Sequence, residues 1–163
     1  MWKLIAAVDA KWGIGKNNRL LVQIPGDQQL FRQRTMGQVV VMGRKTLDSL
    51  PNGMALQGRE NLVLTRKMDY APKGVKVFHD IESLVYYLDG QEKEVYVIGG
   101  GDIYHQLLPY CDKAYITKID HIYEVDTWCP NLDENPEWNL VSESDEKTYF
   151  DLEYCFLEYE RRG

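Results

Sequence analysis

The strongest constraint on the fold is a repeated pairing of short, almost wholly apolar runs with helical stretches. Residues 2–8, Val39–Met42, Asn61–Thr65, Val75–Phe78, Glu94–Ile98 and 112–119 read as strands. Between them 25–35, 44–50, 80–89 and 101–108 read as helices, the third with Asp80 placed to cap it and Leu84 and Leu88 apolar. Strands with so little polar alternation must be covered on both faces. The pattern therefore predicts an α/β fold, a mainly parallel twisted sheet with helices on both faces. Two last runs, about 138–144 and 149–159, have no helix between them and predict an antiparallel hairpin at the C-terminal edge. A chain of 163 residues without repeat or linker reads as one domain, 1–163.

Composition removes several function classes. No apolar run approaches the roughly 20 residues of a membrane span, and the opening stretch is charged too soon for a signal peptide. Cys111, Cys129 and Cys155 are an odd, scattered set, which predicts reduced thiols in a cytoplasm rather than disulfides or a zinc site. His79, His105 and His121 show no metal spacing. A net charge of −6 argues against nucleic acid as a partner and requires a local basic site for any anionic ligand. A monomer is expected.

In sheets of this class, ligands bind beyond the carboxyl ends of the strands, so the strand-to-helix turns are the places to inspect. Val97-Ile98-Gly99-Gly100-Gly101-Asp102-Ile103-Tyr104 is a strand, three glycines and a helix start, able to bring backbone close to a ligand. Tyr104 stands where a Rossmann fingerprint needs its third glycine. Val41-Met42-Gly43-Arg44-Lys45-Thr46 places two cations and a hydroxyl at a second helix start without the spacing of a P-loop. Leu64-Thr65-Arg66 adds a hydroxyl and a guanidinium beyond another strand. Together they suit a dinucleotide carrying an extra phosphate, NADP rather than NAD. Loop 9–24 is long enough to be an active-site lid. In the helix after it, Asp27 shares a stripe with Ile24, Leu30 and Phe31 at about 100° per residue. A carboxylate facing an apolar interior needs a partner or a task.

These residues, with Ile5-Ala6-Ala7, Gly13-Ile14-Gly15, Ile24-Pro25-Gly26-Asp27, Gly58-Arg59-Glu60-Asn61, Thr117-Lys118-Ile119-Asp120 and Asp126-Thr127, closely resemble the dihydrofolate reductase family over essentially the whole chain. The resemblance implies reduction of 7,8-dihydrofolate by hydride transfer from NADPH, with antifolate inhibitors as further ligands. It implies that Asp27 is the catalytic carboxylate, holding the pterin's amino-pyrimidine edge with Thr117 as second partner. Ile5, Ala6, Phe31, Arg32, Ser49, Leu56, Arg59 and Ile98 complete the implied substrate site, Arg59 gripping the glutamate tail. The implied cofactor site comprises Ala7, Gly13, Ile14, Gly15, Lys16, Asn17, Asn18, Arg19, Leu20, Gly43, Arg44, Lys45, Thr46, Leu64, Thr65, Arg66, His79, Gly99, Gly100, Gly101, Asp102, Ile103 and Tyr104. No metal is implied. The family usually has a cis bond between the first two glycines, here Gly99 and Gly100.

The chain departs from the family at Val22, where a tryptophan usually holds a water beside the pterin; valine has no donor. Gln23 and Gln28 add amides near the same wall, and a glutamine or freer solvent is expected to take over that task. Asp102 stands where some members have arginine, leaving Arg44 and Arg66 to set the NADP preference. Other readings are a different reductase of the same fold, which would lack the combination of Asp27, Phe31 and Arg59, and a non-catalytic nucleotide-binding module.

Overall fold

The computed structural model describes residues 1–16, 19, 20 and 22–163, with the backbone alone for Arg19 and Leu20. The elements are β1 (Trp2–Val8), β2 (Gly13–Lys16), β3 (Arg19–Leu20), α1 (Pro25–Thr35), β4 (Val39–Gly43), α2 (Arg44–Ser49), β5 (Glu60–Leu64), β6 (Val75–Phe78), α3 (Ile81–Leu88), β7 (Val95–Gly99), α4 (Gly101–Leu107), β8 (Lys113–Ile119), β9 (Thr127–Trp128), β10 (Trp138–Glu143), β11 (Lys147–Tyr149) and β12 (Leu152–Arg161). Among the described residues the main sheet runs β10-β12-β8-β1-β7-β4-β5-β6, with β11 also paired to β12. From β8 to β6 every pairing is parallel; β12 is antiparallel to β8, β10 and β11.

The apolar runs explain this arrangement. Val39, Val40, Val41 and Met42 are all fully buried, with alternate side chains entering two different cores. On one face Leu4, Val41, Leu62 and Val97 pack with Leu84 and Leu88 of α3 and Ile103 and Leu107 of α4. On the other, Val40, Met42, Val63 and Tyr96 pack with Leu47 of α2. Helix α3 starts where expected, because Asp80 accepts a hydrogen bond from the Ser83 amide at 2.7 Å.

Two regions differ from the sequence expectation. The stretch read as a loop folds its 13–16 and 19–20 segments into a small antiparallel sheet, β3-β2-β9. These strands are too short and glycine-rich to show a period, and their partner β9 lies about a hundred residues away in the chain. Trp12, at the entry to β2, is buried with φ 65° and sets its ring edge-on to Tyr159. The late run 149–159 is not one strand: the chain turns at Phe150, φ 55°, between β11 and β12.

Leu4, fully buried on the central strand β1, tests the core. Leu4→Ala should cost about 2–5 kcal/mol, read as a lowered denaturant midpoint with an unchanged slope.

Candidate active site

Helix α1 opens with Pro25, which needs no amide partner at that position, and it brings Asp27 over β8. There the Thr117 hydroxyl donates to Asp27 Oδ1 at 2.5 Å, between residues 90 apart in the chain. Asp27, Leu30, Phe31 and Arg34 recur at helical spacing and form one side of a cavity of about 150 Å³; Ile5, Tyr115 and Thr117 lie on the sheet side. The stripe expected to face an apolar interior thus borders open space along Asp27, Leu30 and Phe31. Asp27, Leu30 and Phe31 are only half-buried, and Thr35 is the buried residue of the helix. Burial pushes the Asp27 carboxyl above its ordinary range, and the Thr117 hydrogen bond opposes this only in part.

A larger groove of about 1300 Å³ runs across the carboxyl ends of β1, β4, β5 and β7. Register makes it: Met42 pairs with Gly99, and Gly43 with Leu64, so the three turns expected to bind phosphate stand side by side. The Gly99–Gly100 bond is cis, and Gly99 has φ 138°. A Cβ on Gly99 would stand 3.2 Å from Thr46 Oγ1, so both conformation and space favour glycine there. Tyr104 is buried, its hydroxyl donating to the Ile5 carbonyl at 2.7 Å, which ties α4 to β1. The His79 ring bonds through Nδ1 to the Thr65 carbonyl at 2.9 Å. Arg44 lies 3.6 Å from Asp48, while Lys45 and Arg66 are exposed.

The expected cofactor residues Ala7, Ile14, Gly15, Gly43–Thr46, Leu64–Arg66, His79 and Gly99–Tyr104 all line this groove. Gly13 and Lys16 do not: Gly13 is buried beneath Val125, and Lys16 reaches out to Glu124 at 2.5 Å. Asn17 and Asn18 lie outside the described residues, and Arg19 and Leu20 are placed only as the backbone of β3.

Of the expected substrate residues, Ile5, Phe31 and Thr117 share the cavity with Asp27, whereas Ser49 and Ile98 face the groove. Ala6 is buried in the core on the opposite sheet face. Leu56 is pinned by Asn61, whose side chain accepts from the Leu56 amide at 2.9 Å and donates to its carbonyl at 2.8 Å. Arg59 donates to the Gln57 carbonyl at 3.0 Å and to Thr35 Oγ1 at 3.2 Å. Partial burial, then the charge of Arg32, lowers the Arg59 pKa. The two guanidiniums are therefore electrostatic neighbours, and among the described residues neither forms an ion pair. Gln23 and Gln28 are exposed and line neither space.

Sequence reasoning overlooked Arg34 and Tyr115 in the cavity; the helix spacing of Arg34 from Asp27 was a usable signal. It also overlooked Asp9, a buried carboxylate that accepts from the amides of Lys11 and Gly13 at 2.9 and 2.8 Å and of Tyr123 at 3.0 Å. Asp9 thereby joins the segment before β2 to the one before β9. Trp128 lines the groove from β9, and no local pattern could have placed it there.

Comparison with known proteins agrees with this geometry. The family model described as dihydrofolate reductase matches residues 1–161. The chain is 39% identical to the dihydrofolate reductase of Bacillus subtilis (strain 168), over 100% of this chain and 96% of that one. It is 40% identical to the dihydrofolate reductase of Staphylococcus haemolyticus, over 97% and 94%. Among solved structures, dihydrofolate reductase from Enterococcus faecalis complexed with NADP(H) and RAB-propyl superposes with a TM-score of 0.91 at 30% identity, covering 100% of this chain and 97% of that one.

Gly101 gives a direct test of the groove wall. A Cβ there would stand 2.6 Å from Thr127 Cγ2 and 3.1 Å from the Trp128 carbonyl oxygen. Gly101→Ala should push β9 away from α4 at a cost of about 1–3 kcal/mol, visible as a lower melting temperature and faster hydrogen exchange at the Asp126 amide, which bonds to Gly15.

Proposed function

The chain belongs to the dihydrofolate reductase family and reduces 7,8-dihydrofolate to 5,6,7,8-tetrahydrofolate with NADPH, and we propose that Asp27 anchors and polarises the pterin for that step. The observation that carries this role is the Thr117–Asp27 hydrogen bond inside the cavity beside Ile5 and Phe31. The amino-pyrimidine edge of a pterin presents N–H donors, and an ionised carboxylate offers only acceptors. Thr117 occupies Oδ1 and turns the carboxylate toward that edge. Ile5 and Phe31 wall the ring, Leu56 meets the aminobenzoyl group, and Arg59 with Arg32 receives the glutamate carboxylates.

The groove suits NADPH by its donor chemistry. Arg44, Thr65 and Arg66 would hold a 2′-phosphate, and the turns at Gly43 and Gly99 would offer backbone amides to the pyrophosphate and nicotinamide portions. When bound, NADPH supplies the hydride. Asp27 holds the pterin so that the nitrogen next to the hydride-accepting carbon is more readily protonated, with water carrying the proton. Burial raises the Asp27 pKa, yet its task here is to accept from the pterin's N–H donors, and the proton reaches the pterin nitrogen through water. Antifolates with the same amino-pyrimidine edge bind at Asp27. The negative net charge supports a protein that does not bind nucleic acid, and the free thiols support a cytoplasmic location. No helix among the described residues is long and apolar enough to cross a membrane. We take the working unit to be the monomer.

The activity is measured as loss of NADPH absorbance on adding dihydrofolate, with NADH turning over far more slowly. For Asp27 the decisive variant is Asp27→Asn, which should lower the hydride-transfer rate at neutral pH by about 100-fold or more; an unchanged rate would overturn the role. Its effect on stability has the opposite sign. A carboxyl whose pKa is raised by folding stabilises the fold in acid, and that contribution is lost as pH rises through its folded pKa. Ligand-free Asp27→Asn should therefore melt higher than the wild type at pH 7.

A further inference from the structure

Beyond Asp27, Ile5 and Phe31, the residues assigned to the pterin, the cavity continues to Ser142, Ser144 and Glu158. Its sheet side is two cross-strand rows. Thr117 pairs with Phe156, whose amide donates to Ser144 Oγ at 2.8 Å. Tyr115 pairs with Glu158, and Glu158 with Ser142. All six line the cavity. The second row crosses β8, β12 and β10, two strand spacings or roughly 10 Å, and ends at exposed Ser142.

A sheet face covered by a helix is ordinarily apolar; this one carries a phenol, a carboxylate and two serines. Across the cavity, Arg34 lays its guanidinium 3.8 Å from the Tyr115 ring centre. Its Nε is buried without a protein hydrogen-bond partner. A buried donor of this kind is normally satisfied by water. The cavity measures about 150 Å³, room for several waters at the roughly 30 Å³ each occupies in the liquid.

We propose that this space is a rear water channel, running from Asp27 beneath α1 to solvent at Ser142 on the edge strand β10. It rests on the reading of Asp27 as the pterin anchor. It lets Asp27 exchange protons with bulk water while substrate fills the front of the site. A hydronium at the Ser142 end releases its proton, the intervening waters relay it, and one Asp27 oxygen takes it up to form the carboxyl; the reverse returns it. The channel also supplies the water-holding groups that Val22, Gln23 and Gln28 do not: Tyr115, Glu158 and Ser144.

The charged and titratable groups around this path come from every neighbouring element. Helix α1 contributes Arg34, β8 Tyr115, and β12 Glu158 and Tyr154. From β1, Lys3 lies 5.7 Å from the Tyr115 ring and 5.6 Å from that of Tyr96 on β7. From β11, Lys147 lies 5.9 Å from the Phe156 ring. On the far side of Asp27, Tyr104 is buried and bound to Ile5.

The test narrows the channel without altering Asp27. Glu158→Leu makes its polar row apolar, Glu158→Gln removes the same charge but keeps the row polar, and Leu30→Phe fills the space from the helix. Single-turnover hydride transfer is followed against pH with saturating NADPH and dihydrofolate, and melting curves confirm folding. Loss of water disfavours the Asp27 carboxylate, so Glu158→Leu should shift the profile to higher pH relative to Glu158→Gln, the apparent acid constant falling about threefold or more. Leu30→Phe should shift it the same way relative to wild type. Superimposable profiles for Glu158→Leu and Glu158→Gln would overturn the channel, whether or not Leu30→Phe folds. A collapse of the rate in Asp27→Asn alongside that result would leave the anchor intact and reject the channel alone.

Discussion

The hydrogen bond from Thr117 to Asp27 joins the first turn of α1 to β8, and the substrate end of the molecule is arranged around it. The carboxylate has two opposed influences on it. Burial favours the neutral acid, and the hydroxyl favours the anion; burial is the larger. A more exposed carboxylate would be an ordinary surface anion, and a sealed one without Thr117 would favour its neutral acid and exchange an acceptor site for a donor. The half-buried position of Asp27 follows from the way α1 stands over a cavity rather than a close-packed core.

The groove proposed for the cofactor depends on sheet register instead. Parallel pairing of β4 with both β5 and β7 brings three turns, widely separated in the chain, to one rim. A one-residue slip would exchange the packing partners of the fully buried residues Val39–Met42 and carry Gly43 and Gly99 away from the shared rim. The small sheet β3-β2-β9 closes the same rim from the other side. Gly101 against Thr127, and Asp9 against the Tyr123 amide, connect it to the rest of the fold.

Legibility in the sequence followed the physical range of each signal. The main strands were readable because residues such as Val39–Met42 are apolar on both faces, a local property that needs no knowledge of partners. The turns at Gly43 and Gly99 were readable from composition, and their neighbours line the groove. What could not be read depends on distant pairing. Strands β2 and β9 are short and stabilise each other across the chain, so neither shows a period by itself. The stripe through Ile24, Asp27, Leu30 and Phe31 was legible as a stripe, yet nothing local distinguishes a helix face that meets a core from one that borders a cavity. That distinction lies in Tyr115, Glu158 and Ser142, on three strands that only the fold makes neighbours. For the same reason Gln23 and Gln28 looked close to the pocket wall in the chain but are exposed.

Asp27 is a carboxyl raised by burial and restrained by Thr117. Carbon-13 NMR of the ligand-free protein, labelled at the aspartate side chains and assigned by comparison with Asp27→Asn, follows its titration directly. The midpoint should lie above the ordinary aspartate range and move higher still in Thr117→Val, where the opposing hydrogen bond is gone. A midpoint at or below the ordinary range in the wild type, or one that Thr117→Val leaves in place, would contradict this.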